Sequence, residues 1–260
     1  MMHKIRFDPE YSPLVKEESS RYRIVLPFSK VAWFTVSLPF VAFLFCIGWS
    51  ILYNFEHATS THCKVYNFLP SVSAAIGHYR PQKDVWKAAI ALQATIRVLV
   101  LVMYFQYYKE TVHSLAQGLS NIALMLYIIE NTALVTLSFW SSDENYAFHK
   151  LSFITFLITS LVHMVLTCLI MKHYRNISRN ALETDSLKLK WRFLFFNVAS
   201  ILMACYFFYR HNKYCEPLVY SMFALTEYMV VISNMGFHVT AAWDFAGRSL
   251  LISGNGLRIV

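Results

Sequence analysis

The chain has 260 residues, of which 57% are hydrophobic and 15% charged, with a formal net charge of +8. Soluble domains run near 45–50% apolar and about 25% charged, so the composition points away from a soluble globule, and the wealth of Leu, Ile, Val and Phe excludes a disordered chain. Five cysteines at this length exclude a disulfide scaffold.

Residues 1–30 are polar and carry Lys4, Arg6, Lys16, Arg21, Arg23 and Lys30. That lead is too long and polar for a cleavable signal peptide, so the first apolar run is expected to be an uncleaved anchor. Charge-poor runs then follow in order. The stretch 31–53 has no Lys, Arg, His, Asp or Glu. The run 85–108 holds Lys87 and Arg97, and 115–140 holds only Glu130. The run 151–171 holds only His163, 193–209 has no charge, and 217–243 holds Glu227 and His238. A spanning helix needs about 20 mostly apolar residues, because each adds about 1.5 Å across a core about 30 Å thick. The expected fold is therefore an all-α, polytopic six-transmembrane-helix bundle over 31–243. Loops 55–84, 141–150 and 210–216 lie on one side, and the N-terminal segment 1–30 and tail 244–260 on the other.

Charge placement sets the orientation. Segments 1–30, 109–114, 172–192 and 244–260 outnumber the opposite side in Lys and Arg by about two to one. Both termini are thus expected in the cytosol. The basic excess faces anionic lipid and calls for no nucleic acid. The sequon Asn176-Ile177-Ser178 falls in a cytosolic loop and is expected to be unglycosylated. There is no glycine-rich phosphate loop and no Gly-x-Ser-x-Gly elbow.

Cys46, Cys168 and Cys205 lie within apolar runs and read as packing residues. Cys63 and Cys215 fall in luminal loops, where the milieu is oxidising, and are expected to pair. Polar side chains gather around them: His62, His149, Arg210, His211, Asn212 and Glu216 among others. A cation, imidazole, amide and acid in so short a row suit a phosphate or sugar head group, or an ordinary solvated loop. His211 and Glu216 have the spacing of a His-x4-acid acyltransferase motif, but that motif ends in Asp and the match is short. No His pair stands at i, i+4 on an expected helix, so no metal is expected, and no cofactor either.

Counted from the luminal ends of their helices, Arg97, Glu130, His163 and Glu227 all fall roughly 15–18 Å deep. Asn131, Asn234 and His238 extend the polar faces. Intramembrane ionisable residues are costly and are candidates for function. One reading is a structural Arg97–carboxylate pair. Another is a polar cavity in which His163 acts as general base, oriented by Glu130 or Glu227, with Asn131 or Arg97 steadying an oxyanion. A third is a proton or ion relay.

Several stretches resemble a known family. They include Leu38-Pro39-Phe40, Thr61-His62-Cys63 and Asn67-Phe68-Leu69-Pro70-Ser71-Val72-Ser73-Ala74-Ala75-Ile76-Gly77. Further along come Glu130-Asn131, His163-Met164, Arg210-His211-Asn212, Tyr214-Cys215-Glu216, Glu227-Tyr228, Asn234-Met235 and Phe237-His238. Together they resemble the factor 2 family of post-GPI-attachment-to-proteins factors, in the Frag/DRAM/Sfk superfamily. The resemblance runs over roughly 38–253. It implies a multi-pass Golgi membrane protein, with the endoplasmic reticulum as the alternative, acting in GPI-anchor lipid remodelling. The implied reaction is reacylation of a lyso-GPI intermediate at sn-2 with a saturated chain, and the implied partners are GPI-anchored proteins, their lyso-GPI lipid and membrane lipids. The acyl donor, acyl-CoA or phospholipid, stays open. So does an alternative role as a non-catalytic lipid-handling or scaffolding factor. No catalytic set is carried over, and His163 is proposed from the residues alone.

Overall fold

The computed structural model describes residues 24–178, 180–253 and 256–259. The basic stretch 1–23, Arg179, Gly254, Asn255 and Val260 lie outside them.

Five helices are long and apolar enough to cross a membrane. They are α1 (Phe28–Tyr53), α4 (Gln82–Thr111), α5 (Gln117–Phe139, entered through a 3-10 turn at Ser114–Ala116), α6 (Tyr146–His173) and α7 (Ala181–Tyr214). Two short helices, α2 (Phe55–Thr59) and α3 (Val72–Gly77), occupy the 55–84 segment that the sequence left as loop. The last long helix, α8 (Val219–Val239), is not one of these five and carries Glu227, Asn234 and His238 along its length. A single turn, α9 (Ala241–Asp244), follows. The protein is thus an all-α polytopic membrane protein. Its outer faces fit that reading: Val41, Leu44, Leu92, Val98, Phe195 and Leu202 are exposed, as lipid-facing side chains are, whereas water would penalise such an apolar band.

Caps fix where the helices start. Ser71 Oγ accepts from Ala74 N at the start of α3, and Asn145 Oδ1 accepts from Phe148 N at the start of α6. At α7 the Asn180 side chain accepts from Glu183 N at 2.7 Å while Glu183 accepts from Asn180 N at 3.0 Å. This reciprocal box satisfies two donors that a helix end otherwise leaves bare. It also corrects the expected 172–192 loop, most of which is the first turns of α7. The 210–216 loop is corrected at the other end of the same helix, since Arg210, His211 and Asn212 are helical and only the residues after Tyr214 turn back.

The closest hairpins are α5 with α6 and α7 with α8. Gly236 makes the second possible, because a Cβ there would overlap the Phe193 ring. Cys63 and Cys215 are joined by a disulfide that ties the α2–α3 segment to the α7–α8 turn. At the opposite end, β1 (Ile24–Pro27) pairs antiparallel with β2 (Ser249–Ser253), with Ile24 opposite Ile252, and β2 pairs with β3 (Gly256–Ile259). This small sheet was not expected from the sequence. It sits on a core of Phe28, Tyr104, Tyr107 and Phe245.

Candidate functional site

The mid-bundle polar layer forms, without Glu227 and Asn131. Glu130 of α5 is fully buried and its Oε1 accepts from Arg97 Nη2 of α4 at 3.2 Å. The same oxygen lies 2.7 Å from His238 Nε2 and 3.3 Å from Asn234 Nδ2, both on α8. Asn234 also donates to Ser160 Oγ of α6 at 2.6 Å. Arg97 Nε donates to the Tyr127 hydroxyl, and the guanidinium lies over that ring. His163 belongs to the layer through its ring, which stacks on His238 at 5.9 Å and meets Tyr127 edge-on. Its Nδ1 donates to the Ala123 carbonyl at 2.9 Å, which leaves Nε2 as the lone-pair nitrogen. Tyr127 and Ser160 were not singled out from the sequence. Each sits three residues before a residue that was, on the same helical face.

Glu227 does not share this layer. It is seven residues before Asn234 on α8, which places it about 10 Å nearer the disulfide-bearing end. There its Oε2 accepts from Val72 N at the start of α3. Counting depth from a common loop boundary fails because α8 begins only at Val219, after the disulfide-anchored turn. Asn131 also departs from the layer, donating to the Ala94 carbonyl at 3.2 Å.

A cavity of about 270 Å³ connects the two levels. Ser73, His149 and Glu227 line it near the disulfide-bearing end, and Arg97, Asn234 and His238 line it at the layer. Its remaining wall is mostly apolar, with Trp86, Phe153, Phe156 and Phe223 among the contributors. Gln93 points a buried Nε2 with no hydrogen-bond partner among the described residues, and Gln93 also lines the cavity. Glu130 Oε2 is a second such orphan. An unpaired buried polar atom costs about 1–3 kcal/mol, so this layer is less than fully satisfied. His163 and Glu130 lie behind the cavity wall.

The expected head-group residues largely have partners within the protein. Arg210 forms an ion pair with Glu216 and also donates to the Tyr206 hydroxyl. The His211 Nε2 contacts Thr61 Oγ1, Asn212 donates back to the Phe208 carbonyl, and His62 contacts Cys63 Sγ. His62, Cys63 and Cys215 come close enough to suggest a metal, but both sulfurs are spent in the disulfide. Nearby, the ammonium of Lys83 and the backbone N–H of Ser141 hold exposed Glu144 down at about 2.

A second buried cluster was missed entirely. Near the sheet, Lys190 of α7 donates to Asp244 Oδ2 at 2.5 Å, to Thr240 Oγ1 at 2.6 Å and to Ser186 Oγ at 2.8 Å. Tyr104 of α4 donates to Asp244 at 2.6 Å. Lys190 falls in the charged 172–192 segment, which reads as loop, so its burial carries no sequence signal.

Residues 27–247 match the model of the Frag1/DRAM/Sfk1/Cwh43P N-terminal domain. The protein called acyltransferase PGAP2 of Xenopus tropicalis is 43% identical over 246 residues, covering 94% of this chain and 98% of its own. Post-GPI attachment to proteins factor 2 of Drosophila pseudoobscura pseudoobscura is 41% identical over 91% of this chain and 92% of its own. A factor 2-like protein of Drosophila melanogaster is 31% identical over 91% of this chain and 75% of its own. No solved structure matches the chain.

Proposed function

The chain belongs to the Frag1/DRAM/Sfk1/Cwh43P family, and from that premise we propose that it is a membrane-embedded acyltransferase of GPI-anchor lipid remodelling. The acceptor is a lyso-GPI lipid on GPI-anchored proteins, the new ester is at sn-2, and the chain transferred is saturated. The observation that carries this reading is the cavity: an apolar chamber with polar groups at both ends, in a protein 43% identical to one named an acyltransferase.

The two levels divide the work. Along α8 Glu227 stands about 10 Å from the layer and along α6 His149 stands about 21 Å from His163, so the mouth groups fill a zone on the disulfide-bearing side of the layer. A lipid's ester sits near the head-group boundary and its chain in the core. The reacting ester therefore belongs at the level of Ser73, His149 and Glu227, and the acyl chain extends toward Arg97, Asn234 and His238. Glu130 and His163 support that inner wall from behind, His163 by stacking on His238. The general-base role first considered for His163 passes to the mouth.

The same proposal includes six spans, with α8 as the sixth, and both termini cytosolic. It is supported by the β1–β2 pairing, which brings the two ends of the described chain to one end of the bundle and so favours an even number of crossings. The Lys and Arg bias favours the cytosol for that end. The Golgi membrane is the proposed compartment. Purified full-length protein is to be given a lyso-GPI-anchored substrate and labelled acyl donors in bilayers, and sn-2 product measured. Well-folded protein that yields no product from any donor overturns the enzyme reading in favour of an accessory lipid-handling role.

A further inference from the structure

The Asn67–Gly77 stretch carried the family resemblance, yet neither the polar layer nor the head-group set uses it. It is held with unusual thoroughness. Ser221 Oγ of α8 accepts from Phe68 N at 2.8 Å and from Leu69 N at 3.3 Å. The Tyr228 hydroxyl donates to the Pro70 carbonyl at 2.5 Å, and Glu227 accepts from Val72 N at 3.1 Å. From α1, Ser50 Oγ donates to the Ala75 carbonyl at 3.1 Å. Five side-chain bonds thus fix the backbone on either side of one residue, Ser73.

Ser73 lines the cavity and is half-buried. Its Oγ lies 3.2 Å from Nε2 of His149, which also lines the cavity. The other ring nitrogen, Nδ1, lies 2.8 Å from the Trp140 carbonyl. A carbonyl can only accept, so Nδ1 carries the proton and Nε2 presents a lone pair to the serine hydroxyl. A nucleophile, a base within reach of its proton and a third group orienting the base are the parts that activate a serine. On the acyl-transfer reading above, the lipid ester enters at this level.

We propose that Ser73 is the acyl-accepting nucleophile of this protein and His149 its general base, so that the chain passes through an acyl-Ser73 ester. This rests on the acyl-transfer reading above and takes a glycerophospholipid as the acyl donor. In the first half, Ser73 Oγ bonds to the donor's carbonyl carbon as its proton passes to His149 Nε2. The donor's C–O bond breaks, and the lysophospholipid leaves with that proton. In the second half, the free hydroxyl of the lyso-GPI acceptor gives its proton to His149 and its oxygen bonds to the acyl carbon. The bond to Ser73 Oγ breaks, and Oγ recovers the proton from His149. One ester is exchanged for another, with no oxidant or reductant. Glu227 is a positioning residue here, acting through Val72.

The test uses full-length protein in nanodiscs, with phosphatidylcholine carrying a deuterated stearoyl chain in one arm and deuterated stearoyl-CoA in the other. After an acid quench, the peptide containing Ser73 is read by mass spectrometry for the added chain, and a fluorophosphonate probe reports serine reactivity independently. Wild type is expected to carry label on Ser73 from the phospholipid arm. Ser73→Ala is expected to lose adduct, probe labelling and transfer to lyso-GPI. His149→Gln keeps a hydrogen-bond partner for Ser73 but not a base, and is expected to slow transfer on the order of 100-fold, with the Cys63–Cys215 bridge and elution profile unchanged. Ser73→Cys is expected to form a thioester adduct, which a merely structural serine would not. Transfer by Ser73→Ala at the wild-type rate overturns the proposal, as does transfer with Ser73 never acylated. Label from stearoyl-CoA alone overturns the phospholipid donor. Probe labelling of Ser73 that depends on His149, with no acyl passed to lyso-GPI from either arm, supports the nucleophile and overturns the GPI reaction.

Discussion

Lys190–Asp244 near the sheet and Arg97–Glu130 at mid-bundle are both buried ion pairs, and the cavity described above lies beside the second. At the first, Ser186, Thr240 and Tyr104 add hydrogen bonds until the ammonium and the carboxylate are surrounded. At the second, one carboxylate oxygen collects Arg97, His238 and Asn234 while the other has no partner among the described residues. Desolvating charge is expensive, and a closed network repays the cost only in stability. The cluster that leaves groups unspent, next to an apolar chamber, is the one suited to meeting a ligand.

The largest effect should come from breaking the closed cluster. Lys190→Met leaves Asp244 buried without its counter-ion and is expected to cost about 3–5 kcal/mol, read as a lowered unfolding temperature of the solubilised protein. Adding Asp244→Leu should recover most of that loss, because the uncompensated charge goes with it. A single variant as stable as wild type would remove the structural role of this pair.

Arg97→Met should cost less, about 1–3 kcal/mol, since His238 still reaches Glu130 at 2.7 Å. Equal losses at Arg97 and Lys190 in the same thermal assay would erase the contrast between the clusters.

Gln93→Leu sharpens it from the other side. Removing an amide whose buried Nε2 has no partner among the described residues should stabilise the protein by up to about 1 kcal/mol, while retention of a co-purifying lipid, measured by mass spectrometry, falls. Lost stability would show that Gln93 has a partner in the resting protein.

The smallest effect is at the surface. Glu144 is held below its ordinary 4.5, to about 2, by Lys83 and Ser141. Its contribution is therefore full above pH 4.5 and disappears as pH falls toward 2. Stability of Glu144→Gln should vary less with pH across that interval than stability of wild type. Lys83–Glu144 is exposed and screened, so identical curves would mark it as energetically silent.

Legibility tracked the kind of signal. Five of the spans, the Cys63–Cys215 bridge and the pairing of Arg97 with a carboxylate are readable because charge is rare in these runs and each exception stands out. Asn180 and Glu183 also form a readable start for α7, an Asn-x-x-Glu capping box, but the charged first turns of that helix read as loop. Lys190 lies in those same turns. Glu227 was misplaced because depth depends on how far each helix is offset along its axis, which sequence spacing does not encode. Ser73 and His149 were both in view, as a motif residue and a loop imidazole, with nothing to join them.

The sequence by itself determined a membrane-spanning all-α chain and the types of polar residue it carries inward, because burial in lipid permits few exceptions and each must be spelled out in residues. Which of those residues meet was decided by tertiary structure. The offset of α8, the disulfide-anchored turn and the stapling of residues 67–77 bring together groups as far apart as Ser73 and His149. A hydrogen bond needs its partners within a few tenths of an ångström, and only the packed bundle sets distances that finely.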